Sequence, residues 1–238
     1  MIPGNNTIAA GAWTPKRLQP LAWWRADVVD LVGSKVAAWP DRSGNGVHLV
    51  QTNDVIRPTR VASVAGRKNK PCIEATATGQ LLTAAGVTLP REIAIWVVTG
   101  TIATQGFAFT HLTGTNRSHY LFIPGVAAFQ VSNAAGSLFW ARFSSWATSK
   151  VVNRSLLGIY DGANIDVYSN NANENGSTTG AAFASSNVTG TIGLFCSPDG
   201  VNPSAMQIFE AAIFPAAQLA SVSARAALHA YQTARYVP

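Results

Sequence analysis

Hydrolytic chemistry on a β framework asks for carboxylates on one face. Strand side chains share a face when they stand two residues apart. The eleven acids are Asp27, Asp30, Asp41, Asp54, Glu74, Glu92, Asp161, Asp166, Glu174, Asp199 and Glu210. No two of them stand two apart. Glu210, in the apolar stretch 208–214, is the most enzyme-like single acid. The expected role for it is structural pairing with an arginine or a backbone amide. No Gly-x-Ser-x-Gly nucleophile elbow occurs. Cys72 and Cys196 are far apart, and each is expected as a buried thiol in a strand. His48, His111, His119 and His229 lack the close spacing of a zinc pair. His111 and His119 could meet across a hairpin, the weaker metal alternative. Gly44-x-Gly46 lacks the third glycine of a dinucleotide loop.

Two segments offer binding chemistry. Asp161, Asn164 and Asp166 cluster oxygens at a turn, and 170–174 adds more. Calcium wants six to eight oxygens and usually several carboxylates, so a plain turn is the expected reading. No cofactor is expected, with calcium the sole alternative. The second segment is Phe139-Trp140-Ala141-Arg142-Phe143, with Trp146 just beyond. Sugar sites combine aromatic faces with polar and charged groups for hydroxyls. Strand alternation puts Trp140 and Arg142 on one face and Phe139, Ala141 and Phe143 on the other. Trp140, Arg142 and Trp146 are therefore the candidate carbohydrate contacts, against the alternative that these aromatics fill a core.

The elements that must position these residues read as β. From Leu21 onward, apolar segments of five to ten residues alternate with Gly, Asn, Ser and Pro turns. Strands are expected at 93–100, 106–112, 119–123, 126–132, 137–144, 151–160, 164–170, 190–196 and 205–214. Shorter ones are expected near 21–25, 36–39, 47–50, 72–74 and 80–83. Residues 157–170 read as a hairpin turning at 161–164, and 170–180 as an exposed turn. Many short strands indicate a two-sheet antiparallel sandwich. One helix is expected, over 216–236, with Leu219, Val222, Ala226 and Ala230 on one face. Residues 1–18 read as an N-terminal arm, with Ile2 and Trp13 as assembly contacts, and 19–238 as the sandwich domain.

The chain has 238 residues, 47% hydrophobic and 12% charged, with a mean hydropathy of +0.15. That composition excludes a disordered chain. Two cysteines exclude a disulfide scaffold, and no apolar run has the length of a membrane helix. The net charge of +6 rests on 17 basic and 11 acidic residues. The basic residues are scattered, except for Arg67, Lys68 and Lys70, which read as a solvated loop. No nucleic-acid pattern and no membrane insertion are expected. Residues 1–7 show neither the basic start nor the apolar core of a secretory signal.

Two stretches go beyond composition. One runs Leu21-Ala-Trp-Trp-Arg-Ala-Asp27, then Trp39-Pro-Asp-Arg-Ser-Gly-Asn-Gly46. The other runs Glu210-Ala-Ala-Ile-Phe214, then Leu228-His-Ala-Tyr-Gln-Thr-Ala-Arg-Tyr236. Together they resemble the concanavalin A-like lectin/glucanase superfamily in its laminin-G-like form. The resemblance spans about residues 21–238, and Trp39–Gly46 is its most specific part. In that signature Trp39 is an apolar anchor. Asp41 and Ser43 can accept turn hydrogen bonds. Gly44 and Gly46 can take positive φ, which Asn45 also tolerates.

The resemblance implies an all-β jelly-roll sandwich with one C-terminal α-helix. The glucanase branch carries Glu-x-Asp-x-x-Glu, absent here, so a non-enzymatic role is expected and a glycoside hydrolase comes third. The superfamily includes domains of bacteriophage tail fibres and capsid surfaces. The leading expectation is therefore a virion structural or adhesion protein, made in a bacterial cytoplasm. Its expected partners are other virion subunits, further copies of itself and a host glycan. The alternative is a free bacterial carbohydrate-binding module.

Overall fold

The computed structural model describes residues 13–76, 79–104, 106–114, 116–123, 128–132, 138–143, 155–173, 175–179, 187–200 and 203–238. In chain order the described strands begin with β1 (Ala22–Arg25), β2 (Asp30–Val32), β3 (Lys35–Trp39), β4 (Leu49–Val50), β5 (Thr59–Val64) and β6 (Lys70–Ala75). Next come β7 (Leu82–Leu89), β8 (Ile93–Ile102), β9 (Gly106–Thr113), β10 (Asn116–Ile123), β11 (Ala128–Ser132) and β12 (Leu138–Phe143). The rest are β13 (Ser155–Tyr160), β14 (Ile165–Ser169), β15 (Ala172–Asn173), β16 (Asn175–Thr179), β17 (Val188–Leu194) and β18 (Met206–Pro215).

The pairings resolve two antiparallel layers. In the back layer, β18 takes β8 on one side and β1 with β6 on the other. From β8 the layer continues through β13 and β14 to β15, and from β6 to β5. The front layer runs β4, β7, β17, β9, β10, β11, β12, β16. Strand β3 pairs with β4 of the front layer and, at Lys35–Thr59, with β5 of the back layer, so it joins the two at one edge.

Alternation assigns the faces. Ile93, Ile95 and Val97 of β8 lie in the core between the layers, with Phe109, Leu121, Phe129 and Leu194 of the front layer. Ala94, Trp96 and Val98 point the other way, into a second core beneath the C-terminal helix. A strand buried on both faces must be apolar throughout, which explains the unbroken run 93–98. The molecule is thus a sandwich with a helix as a third layer, as the sequence leads one to expect of its fold class.

The helix departs in detail. The span 216–236 divides into a 3-10 turn, Ala216–Leu219, and the α-helix α1, Val222–Tyr236. Ser221 caps α1 by accepting from the Ala224 amide at 3.1 Å, which fixes the start there. Val222, Ala226 and Ala230 face solvent; the buried face carries Leu228, Tyr231, Gln232 and Tyr236. The alanine spacing misled because alanines bring little apolar area, while the large side chains decide orientation. The expected turn at 170–180 contains strands β15 and β16, and β16 pairs with β12. Its small polar residues carry no period-2 apolar signal. Strand β7 runs on to Leu89, past the expected 83, and β5 was absent from the expectation. Cys72 lies in β6, whereas Cys196 lies in a bend just after β17; both are buried free thiols. Burial pushes the Cys72 thiol up to about 12.

Gly158 of β13 marks a close approach of the layers. A Cβ there would lie 2.2 Å from Cγ of Phe129. Gly158→Ala is expected to overpack the core and cost about 1–3 kcal/mol. An unchanged urea midpoint would contradict this packing.

Candidate functional site

The signature turn organises one end of the sandwich. Asp41 accepts from the amides of Trp23 (2.9 Å), Ser43 (2.8 Å) and Val47 (3.2 Å), and from the Ser43 hydroxyl (2.6 Å). Ser43 Oγ in turn accepts from the Asn45 amide, and Asn45 Nδ2 donates to the carbonyls of Pro20 and Leu21. Gly44 and Gly46 take φ of +101° and +76°, a region only glycine enters freely. Trp39 is fully buried in the core between the layers. The Trp24 indole donates to the Val47 carbonyl at 2.8 Å. Asp41 is therefore spent on tying the turn to β1. A 500 Å³ groove lies beside the turn, between residues 45–48 and 84–89.

Glu210 lies beneath the helix. Opposite β8, Ile208 faces Thr99 and Glu210 faces Val98, so β18 carries a bulge at Phe209. A bulge sets consecutive side chains on one face. Phe209 joins the helix-side core, and Glu210 meets residues of α1 there. Glu210 is 0% exposed. It accepts from Trp23 Nε1 (2.5 Å), the Tyr231 hydroxyl (3.0 Å) and the Tyr236 hydroxyl (2.5 Å). Arg235 Nε stands 3.8 Å away. Burial pushes the Glu210 carboxyl above the usual range, against the pull of Tyr236, Trp23 and Arg235. Burial and the Glu210 charge push both tyrosines up.

Asp27 bridges the guanidinium groups of Arg25 and Arg235, the latter at 2.8 Å. Burial opposes its charge, but the two arginines prevail and hold its carboxyl low. Sealed from solvent and occupied by three donors, Glu210 is placed to hold the fold, not to meet a substrate.

The turn read as the calcium alternative is closed by Asp161. Asp161 spends Oδ1 on the amides of Ala163 and Asn164, at 2.9 and 2.6 Å, and Oδ2 faces Asn164 Nδ2 at 3.3 Å. These hydrogen bonds all lie within the 161–164 turn. His111 and His119 are direct partners across β9 and β10. His111 is buried; its Nδ1 meets Ser118 Oγ at 2.6 Å and its Nε2 the Val87 carbonyl at 3.0 Å. A ring nitrogen facing a carbonyl must donate, so Nε2 carries a proton, while the Ser118 hydroxyl donates to the His111 carbonyl at 3.2 Å. Burial lowers its pKa to about 4.

The aromatic strip divides. Phe139 and Ala141 of β12 enter the core. Trp140, half-buried, takes the opposite face and stands across from Gln130 and Thr179. Position 142 follows on that same face, paired with positions 128 and 177. Trp146 and Ile2 lie outside the described residues.

Trp13 does not project toward a neighbour. It is 9% exposed and packs on Tyr231, ring centroids 5.9 Å apart. Its apolar area finds a place in its own chain's helix-side core, so residues 13–18 belong to the domain. Arg67 likewise leaves the expected solvated loop. It is 1% exposed, donates to the Thr99 carbonyl at 2.7 Å and lies over the Phe209 ring. Burial lowers its pKa to about 10.

Its neighbours in the turn, Lys68 and Lys70, line a second groove of 460 Å³ with Trp13, Arg25, Tyr231 and Arg235. Sequence reasoning missed this groove. Its parts come from four separate segments, and the basic run 67–70 was its one linear signal.

No family profile matches the chain, and no curated protein matches it. Solved structures do. The binding domain of Paraclostridial Mosquitocidal Protein 1 superposes with a TM-score of 0.61 at 11% identity, over 89% of this chain and 52% of that one. Domain 4 of a GH43 extracellular arabinanase from Geobacillus stearothermophilus, in complex with arabinotriose, gives 0.53 at 14% identity, over 85% and 97%. Trypanosoma rangeli sialidase in complex with sialic acid gives 0.51 at 13% identity, over 89% and 32%. The chain thus spans about half the length of the first and a third of the last. At these identities the likeness shows the β-sandwich fold.

The geometry at His111 carries a pH prediction. Above its ordinary pKa of 6.5 the ring is neutral in both states, and its contribution to stability is fully present. As pH falls from 6.5 through about 4, the unfolded chain takes up a proton that the folded one refuses. Stability on the order of 3 kcal/mol is lost. His111→Gln is expected to be less stable at neutral pH but to lose less on acidification. Equal acid sensitivity in urea titrations of both proteins would contradict the assignment.

Proposed function

We propose that this chain is a non-enzymatic binding domain that recognises a glycan, as a structural or adhesion component of a bacteriophage particle. One observation carries the glycan part. The fold overlaps 97% of Domain 4 of an arabinanase, a domain whose structure is in complex with arabinotriose. The non-enzymatic part draws support from Glu210, the most enzyme-like acid, which is buried and fully engaged. The virion part draws on the resemblance of the 21–46 and 210–236 stretches to domains that include phage tail and capsid-surface proteins.

The same arabinanase overlap favours a second reading, a free carbohydrate-binding module. A glycan array probed with the full chain, beside its solution mass by light scattering, separates the two. Glycan binding by a symmetric oligomer is the expected result. Glycan binding by a monomer would favour the free module. No bound glycan would overturn both.

A further inference from the structure

The second groove has a chemistry of its own. It gathers Arg25 from β1, Lys68 from the β5–β6 turn, Lys70 from the start of β6, and Arg235 from the end of α1, beside Trp13 and Tyr231. Among the described residues, no carboxylate lines it. Asp27 and Glu210 neutralise the two arginines from behind. The lysines have no such partner: among the described residues, no carboxylate lies within ion-pair distance of Lys68 or Lys70. Lys68 Nζ donates to the Ala234 carbonyl at 2.8 Å, a neutral acceptor at the negative end of the helix. That leaves two of its three protons for a ligand.

The turn is firmly built. Lys68 and Asn69 take φ of +49° and +54°, and the Lys70 amide donates to the Arg67 carbonyl at 2.9 Å. These are the features of a tight hairpin turn. A lysine in the left-handed region carries a conformational cost, so this turn holds a cation where glycine or asparagine would sit more easily. The Glu210 network fixes the opposite wall. The volume suits a small ligand, and the shape is a pocket, not the extended basic stripe that tracks a nucleic-acid backbone.

Resting on the glycan reading above, we propose that this groove binds the acidic residue of a saccharide, a uronate, sialate or sulfated sugar. The lysine ammoniums meet its anionic group, and the margins of Trp13 and Tyr231 meet the ring.

The test uses the full-length protein, hexagalacturonate and neutral arabinohexaose, in calorimetric titrations at about 150 mM salt. Hexagalacturonate is expected to bind more tightly than the neutral oligomer. Lys70→Glu should weaken it about ten- to a hundredfold, the worth of a charged hydrogen bond. Lys70→Gln, which removes the charge without reversing it, should weaken it less, and near-ultraviolet dichroism checks that both variants fold. Neutral binding as tight as acidic binding, or acidic binding indifferent to both variants, would overturn the groove assignment and leave the glycan reading standing. Equally tight binding of a deoxythymidine oligomer would overturn the sugar class. No binding of either saccharide here, together with none on the array, would overturn both readings.

Discussion

Burying a carboxylate is costly unless donors replace the water it loses. Glu210 meets that condition with an indole and two phenols from three parts of the chain. Trp23 comes from β1 near one end, and Tyr231 and Tyr236 from α1 at the other. Glu210 itself sits in β18, the strand on which the back layer is built. One acid therefore joins first strand, central strand and final helix. The bulge at Phe209 makes this possible, since regular alternation from Ile208 would have turned position 210 inward between the two sheets.

The rest of the molecule follows from that junction. With α1 seated on the back layer, β8 and β18 are covered on both faces and need apolar residues at nearly every position. Trp13 closes the edge of the same core. Asp27 ties Arg25 to Arg235 along its rim, and those two arginines line the basic groove. The basic rim and the buried network beneath it thus share a scaffold: side chains below position those above.

The fold was legible because apolar strand segments, such as 93–100 and 205–214, stand out from the Gly, Asn, Ser and Pro turns between strands. The signature at 39–46 was legible because glycines at positive φ and an aspartate that accepts from its own turn leave a local pattern. What was hidden is non-local. Strand β16 is built from Asn, Gly, Ser and Thr and is recognisable only by its partner β12. The buried face of α1 depends on which residues bring area, so the alanine repeat pointed to the wrong side. Trp13 and Arg67 were read as exposed because their partners, Tyr231 and Phe209, lie more than a hundred residues away. The groove was hidden for the same reason.

Whether Glu210 holds helix to sheet is open to a direct measurement. Urea unfolding of the wild type, Glu210→Gln, Tyr236→Phe and the double variant forms a thermodynamic cycle. A shared buried hydrogen bond predicts a coupling of roughly 1–3 kcal/mol between the two positions. Additivity to within about 0.3–0.5 kcal/mol would contradict it, and Glu210 would no longer be accounted for by its structural role.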